Sequence, residues 1–139
     1  MIPSPPLTDL LEQVARRLHA QGHVLELFPA QWAALRYVAR MPPGLRTSSD
    51  LARFQGQAHG SVARTVRTLI TKGYLRSAGP AGRGRATALE LTPEGQALLR
   101  ADPLRKLHDV FEHFDGPERE TLARFLEETI RVLHDAESQ

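Results

Sequence analysis

Residues 47–95, TSSDLARFQGQAHGSVARTVRTLITKGYLRSAGPAGRGRATALELTPEG, decide how the chain is read. Thr47-Ser48-Ser49-Asp50 has the form of a capping box, a hydroxyl at the cap and an acid three residues on. It predicts a short helix over about 48–55, closed by Gly56. A second helix follows from about Ala58 to Lys72 and stops at Gly73, with Val62, Val66, Leu69 and Ile70 facing inward. Helix, tight turn and helix is the spacing of a helix-turn-helix. Tyr74–Ser77 and Thr87–Leu91 then read as two short strands joined by a nine-residue loop, Ala78–Ala86. A hairpin attached to such a helix pair is a wing.

Charge points the same way. From Leu51 to Leu89 there is no Asp or Glu, and these 39 residues hold seven cations, Arg53, Arg64, Arg67, Lys72, Arg76, Arg83 and Arg85. The whole chain has a net charge of only +2, so the remainder is mildly acidic. At about 100° per residue, the outer face of the second helix carries Gln57, Gly60, Ser61, Arg64, Arg67, Thr68 and Thr71. Exposed helix faces usually mix acids with bases, because i, i+4 pairs help stability. This face forgoes that help, and Ser, Gln and Arg are suited to reading base edges in a major groove. Glycines around Arg83 and Arg85 let the hairpin tip bend toward a minor groove, where negative potential concentrates. The expected DNA-facing set is Gln57, Ser61, Arg64, Arg67, Thr68, Arg83 and Arg85. His59 is left out, because its angle puts it at the edge of the buried face. Arginine-rich composition explains the preference for Arg over Lys but not the missing acids.

Working outward, Leu7, Leu10, Leu11, Val14, Ala15 and Leu18 recur at the spacing of one helix face, after Pro5–Pro6 and before Gly22. Pro29 opens another helix with Trp32, Leu35 and Val38 inward, and Met41-Pro42-Pro43-Gly44 stops it. Thr92-Pro93-Glu94-Gly95 starts a helix that Asp102-Pro103 interrupts. Leu104, Leu107, Phe111 and Phe114 continue its stripe. Asp115-Gly116-Pro117-Glu118 begins the last helix, with Leu122, Phe125, Leu126, Thr129, Ile130 and Leu133 on one face. The long apolar stripes at both ends predict pairing with a second copy of the chain, the alternative being a fold back onto the monomer core.

The fold class is therefore mainly α with a small β-hairpin wing, a winged helix-turn-helix plus a helical dimerisation region from both chain ends. One domain, 1–139, divides into a DNA-binding part at 27–99 and dimerisation parts at 1–26 and 100–139. With 139 residues the chain is long enough for one core. No apolar run approaches the ~20 residues that span a bilayer, and the N-terminus lacks the pattern of an export signal, which makes the cytoplasm the default. There is no cysteine, which excludes disulfides and thiolate metal sites within the chain. Nothing implies a cofactor.

The order of parts resembles the MarR family of transcription regulators over about residues 7–134. The matching motifs are Leu27-Phe28-Pro29-Ala30-Gln31, Leu51-Ala52, Ser61-Val62-Ala63-Arg64, Lys72-Gly73-Tyr74-Leu75, and Arg85 leading to Leu91-Thr92-Pro93-Glu94-Gly95, with Gly116-Pro117-Glu118-Arg119 beyond. The resemblance implies a homodimer on a pseudo-palindromic operator in double-stranded DNA, in most relatives a repressor released by a small aromatic or phenolic effector. It implies roles in DNA binding for Arg64 and for Arg85. Three positions depart from the family pattern. Arg83 stands where an Asp that orients the wing arginine is usual, predicting a more mobile tip. Gln55 replaces an apolar residue, and Phe28 replaces a hydroxyl cap.

Rival chemistries have less in their favour. Ser61, after His59-Gly60, lacks the strained strand-turn-helix elbow of a nucleophile, so no catalytic role is assigned. Trp32 and Arg36, at i, i+4, are candidate effector contacts, an aromatic beside a cation; the ordinary alternative is a core Trp with a solvated Arg. His19/His23 and His108/Glu112 have metal-ligand spacing, which keeps a metal-responsive regulator as an alternative. Gly22 is expected to interrupt the first pair, so no metal site is assigned. A winged-helix protein-interaction module is the remaining alternative, and salt dependence separates it from a DNA binder. About eight phosphates contacted per dimer would give a slope of log K against log salt near −7.

Overall fold

The structure, a computed structural model, describes residues 1–138. They form two compact units that divide between Pro103 and Leu104. The first contains α1 (Ser4–Gln21), α2 (Pro29–Arg40), a 3-10 turn (Pro43–Leu45), α3 (Ser48–Gln55), α4 (His59–Thr71), β1 (Leu75–Pro80), β2 (Thr87–Leu91) and α5 (Pro93–Leu99). The second contains α6 (Lys106–Glu112) and α7 (Gly116–Glu137). Mainly helical with one antiparallel hairpin is the architecture expected of the sequence.

Local chemistry sets most boundaries. Thr47 Oγ1 accepts from the Asp50 N–H at 3.0 Å, and the Asp50 carboxylate accepts from Thr47 N–H at 3.2 Å, so the capping box of α3 is closed. Gly56 ends α3 at φ 64°, a left-handed conformation that glycine adopts without a Cβ penalty. Without a hydroxyl at Phe28, α2 is capped from the other side, as the Gln31 side chain accepts from Phe28 N–H at 2.9 Å. Thr92 Oγ1 caps α5 through Gly95 N–H at 3.0 Å. Pro5 and Pro6 lie inside the first turn of α1 rather than before it, as a missing N–H costs nothing there.

The core sits under α2, α3, α4 and the hairpin. Trp32, Leu35 and Leu51 are fully buried, and Val62, Val66 and Leu69 carry α4 onto them. Leu75 and Leu89 anchor the two strands to the same cluster. Ile70, expected inward, is 40% exposed, because it falls on the flank of α4 beneath the wing. β2 is held on its other edge too, where Leu89 N–H donates to the Arg46 carbonyl at 2.8 Å.

The hairpin differs from its sequence reading. β1 runs on to Pro80, and its register shifts between Ser77 and Pro80, where Ser77 pairs with Leu89 but Pro80 with Thr87. This β-bulge re-aims the strand and cuts the connecting loop from nine residues to the six of 81–86.

The end helices are another matter. α1, α6 and α7 bury no residue. Leu7, Leu10 and Val14 of α1, and Phe125, Ile130 and Leu133 of α7, are exposed. No helix among the described residues is long and apolar enough to cross a membrane.

Candidate nucleic-acid interface

The inward residues of α4 turn its opposite face to solvent. Gln57 in the preceding turn and Gly60, Ser61, Arg64, Arg67 and Thr71 are exposed, and Thr68 is half-buried. His59 is also exposed, at the first position of the helix, where no neighbouring turn covers it. The helical surface therefore has the composition expected, polar and cationic without an acid.

The seven cations of the acid-free stretch do not share one fate. Arg76 pairs with Glu90 across the hairpin, in register. Lys72 donates to the Glu26 carbonyl at 2.7 Å. Arg53 lies 3.7 Å from the Asp50 carboxylate. Arg83 reaches the same carboxylate with both terminal nitrogens, at 3.2 and 2.5 Å. Three remain without an ion pair or side-chain hydrogen bond among the described residues: Arg64 and Arg67 on α4, and Arg85 on the wing. The two acids that border the acid-free stretch, Asp50 and Glu90, thus take three of its cations.

Asp50 is the junction of this arrangement. Its side chain is 4% exposed and also accepts from Thr47 Oγ1 at 2.8 Å. The Arg83 hydrogen bonds, resisted by burial and helped by Thr47, hold its carboxyl well below the usual carboxylate range. The same pairing raises the Arg83 guanidinium. Burial raises the nearby Tyr37 hydroxyl, with the Asp50 charge adding to it; that hydroxyl donates to the Leu45 carbonyl at 2.9 Å. The tip expected to be mobile for want of an acid is therefore tied to α3 by one. The partner was not legible, because it sits 33 residues away.

Trp32 and Arg36 do not meet as a ligand seat. The indole is 0% exposed, packed in the core. The Arg36 guanidinium is committed to Asp102 through two 2.7 Å hydrogen bonds, with side-chain exposures of 16% and 6%. The Asp102-Pro103 break thus supplies a counter-ion to α2, so Arg36 is not the solvated arginine of the ordinary reading either. Among the described residues no base or orienting acid is bonded to the Ser61 hydroxyl, and its carbonyl accepts from Thr65 Oγ1 at 3.2 Å. His19 and His23 do come together, Nε2 to Nε2 at 3.4 Å. His113 Nδ1 meets the Asp109 carbonyl at 2.7 Å, and Glu112 bonds Arg119 at 3.0 Å, so the acid of the His108/Glu112 spacing is otherwise engaged.

Comparison with known proteins gives this arrangement a context. Residues 27–86, from the entry of α2 through the wing loop, match the sequence model of the MarR family. No curated protein matches the chain. Among solved structures, a probable transcriptional regulator from Pseudomonas aeruginosa is 25% identical, with 88% of this chain and 95% of that one aligned at a TM-score of 0.63. Wild-type MarR from E. coli in its apo form is 21% identical over 93% of this chain and 98% of that one, with a TM-score of 0.62. MepR from S. aureus, solved in complex with DNA, is 15% identical over 95% and 96%, with a TM-score of 0.69. The likenesses at 21% and 15% are likenesses of fold.

Proposed function

We propose that this chain, whose winged-helix segment belongs to the MarR family of transcription regulators, is a homodimeric repressor that binds double-stranded DNA. The observation that carries the reading is where the unpaired cations lie. Of seven, the three without partners are on the outer face of α4 and on the wing, the two surfaces a winged helix offers to a duplex. Gln57, Ser61, Arg64, Arg67 and Thr68 would face the major groove, and Arg85 the minor groove. Arg83 has a different role in this reading. With its guanidinium on Asp50, it positions the hairpin so that Arg85 is presented, and it keeps enough exposure, 47% of its side chain, to add to the local field. MepR, a protein of the same fold, was solved in complex with DNA, which supports DNA as the partner.

Dimerisation is supported by the uncovered apolar faces. A 22-residue α7 with no buried residue is not stable in water by propensity alone, so its Phe125, Ile130 and Leu133 need a covering surface. A second copy supplies it with two-fold symmetry, which in turn fits a pseudo-palindromic operator in the cytoplasm. Release by a small aromatic or phenolic effector belongs to the same reading, with a seat elsewhere than Trp32 and Arg36.

The test is binding of the purified chain to duplex fragments selected from its own genome, across a salt series. Three free cations per chain make six per dimer, and they give log K against log salt a slope of roughly −5. That is shallower than eight phosphates would require, because much of the formal charge is internally paired. Affinity that ignores salt, or no preference for any fragment, overturns the reading in favour of a protein-interaction module.

A further inference from the structure

We infer that His19 and His23 form a binding site for a borderline divalent transition metal, with Zn²⁺ as the type case. Gly22 ends the helix between them, as the sequence predicts: α1 stops at Gln21 with Gly22 as its C-cap. The backbone still turns right-handed there, at φ −75° and ψ −6°, with the Gly22 N–H on the His19 carbonyl at 3.1 Å and the His23 N–H on the Ala20 carbonyl at 3.2 Å. These two tight i→i−3 bonds bring the His23 ring alongside that of His19, past the helix end. The lack of a side chain matters here, since a Cβ on Gly22 would meet Pro29 Cγ at 2.7 Å.

The separation of the pair suits a chelate. Two nitrogens each about 2.05 Å from a tetrahedral zinc lie about 3.3 Å apart, and their ring centres about 5 Å apart. The observed values are 3.4 Å between the Nε2 atoms and 5.0 Å between centroids, with the rings at 73°. The His23 ring is further fixed by the edge of Phe28, with centroids 5.8 Å apart. Little reorganisation would be needed to accept an ion.

The surroundings fit an open, exchangeable site. The two histidines line a cavity of about 500 Å³ together with Phe28, Ala33, Gln55 and Gln57. Among the described residues no group of three or more His, Cys, Asp or Glu side chains comes together, so the remaining coordination positions fall to water. The Gln55 amide lines the same cavity with both its nitrogen and its oxygen buried and unpaired, and a metal-bound water is a partner for it. The loop after His23 is wound through two left-handed non-glycine residues, Leu25 at φ 56° and Glu26 at φ 61°. Such conformations are costly and concentrate at functional sites. The Glu26 carbonyl is the one that holds Lys72, just past the end of α4. Gln57, in the turn before α4, lines the same cavity as the two histidines.

The experiment is a calorimetric titration of the full-length, metal-free chain with Zn²⁺ at pH 7.5, repeated on His19→Gln, His23→Gln and His108→Gln. One ion per chain is expected. Each of the first two changes should weaken binding at least tenfold, and the third should leave it unchanged. Both histidines are exposed, so neither change disturbs the core; unchanged circular dichroism would verify that. Co²⁺ offers a second readout, a tetrahedral visible spectrum lost in both variants. No heat with wild-type protein overturns the inference, and so does binding that survives both substitutions. Neither result bears on DNA binding, which is measured separately.

Discussion

The outer face of α4 and the tip of the wing carry two arginines each, and in the sequence they look alike, cationic and acid-free. In the structure they differ. α4 leaves both Arg64 and Arg67 unpaired, whereas the tip commits Arg83 to a buried carboxylate and leaves Arg85. The difference follows from how each element is held. A helix with Val62, Val66 and Leu69 in the core is fixed by its own inward face. The six-residue loop beyond a β-bulge has no such face, and a side chain must tie it down. Formal charge along a chain therefore overstates the charge offered to a partner wherever an irregular segment has to be anchored.

Asp50 is where this comparison can be broken most severely. Asp50→Asn keeps the shape but removes the charge under Arg83 and weakens the Thr47 box. The expected loss is about 2 kcal/mol, the scale of a charge-assisted hydrogen bond with a half-exposed partner, or several degrees in Tm. Because pairing lowers the folded-state pKa of Asp50, its contribution is fully present above the ordinary carboxylate range. It is lost as pH falls below about 4. Wild-type stability should thus decline toward low pH, and Asp50→Asn should flatten part of that decline. Parallel acid limbs in thermal melts would mean that Asp50 does not anchor the wing.

Arg64→Ala sharpens the other side. If α4 reads bases, losing Arg64 costs about 1–3 kcal/mol per half-site and relaxes preference at one operator position. Stability should hardly change, since the side chain is exposed and bonded to none of the described residues. Fragment selection with the variant checks it. An operator preference identical to wild type would demote Arg64 to a phosphate contact.

What could be read from sequence, and what could not, divides along the same line. The ends of α3 follow from Thr47, Asp50 and Gly56, those of α2 from Pro29 and Met41, and the start of α5 from Thr92-Pro93, all within a few residues of the boundary they set. The inward faces of α2 and α4 follow from helical period, Ile70 excepted. Arg83–Asp50 and Arg36–Asp102, 33 and 66 residues apart, carry no local signal. Each partner is an ordinary surface residue until the fold brings them together. The departure at Arg83 was visible as a missing acid, but not that an acid on α3 replaced it. The bulge between Ser77 and Pro80 was hidden for a related reason, because strand alternation does not mark an unpaired residue.

The smallest effect is also the most discriminating. Arg83→Ala and Arg85→Ala should both weaken binding to every duplex alike, since neither reads bases in this arrangement. They should differ in salt dependence. In the proposed dimer, removing a phosphate contact from each protomer takes away two cations and makes the log K against log salt slope shallower by roughly 1.8. Arg85→Ala should do this. Arg83→Ala should lower affinity by loosening the hairpin while leaving the slope close to wild type, because its charge is already balanced by Asp50. Asp50→Asn should then steepen the slope slightly, by freeing Arg83 for phosphate. Equal loss of slope from Arg83→Ala and Arg85→Ala would show that the ion pair opens on DNA, and that the wing offers both arginines after all.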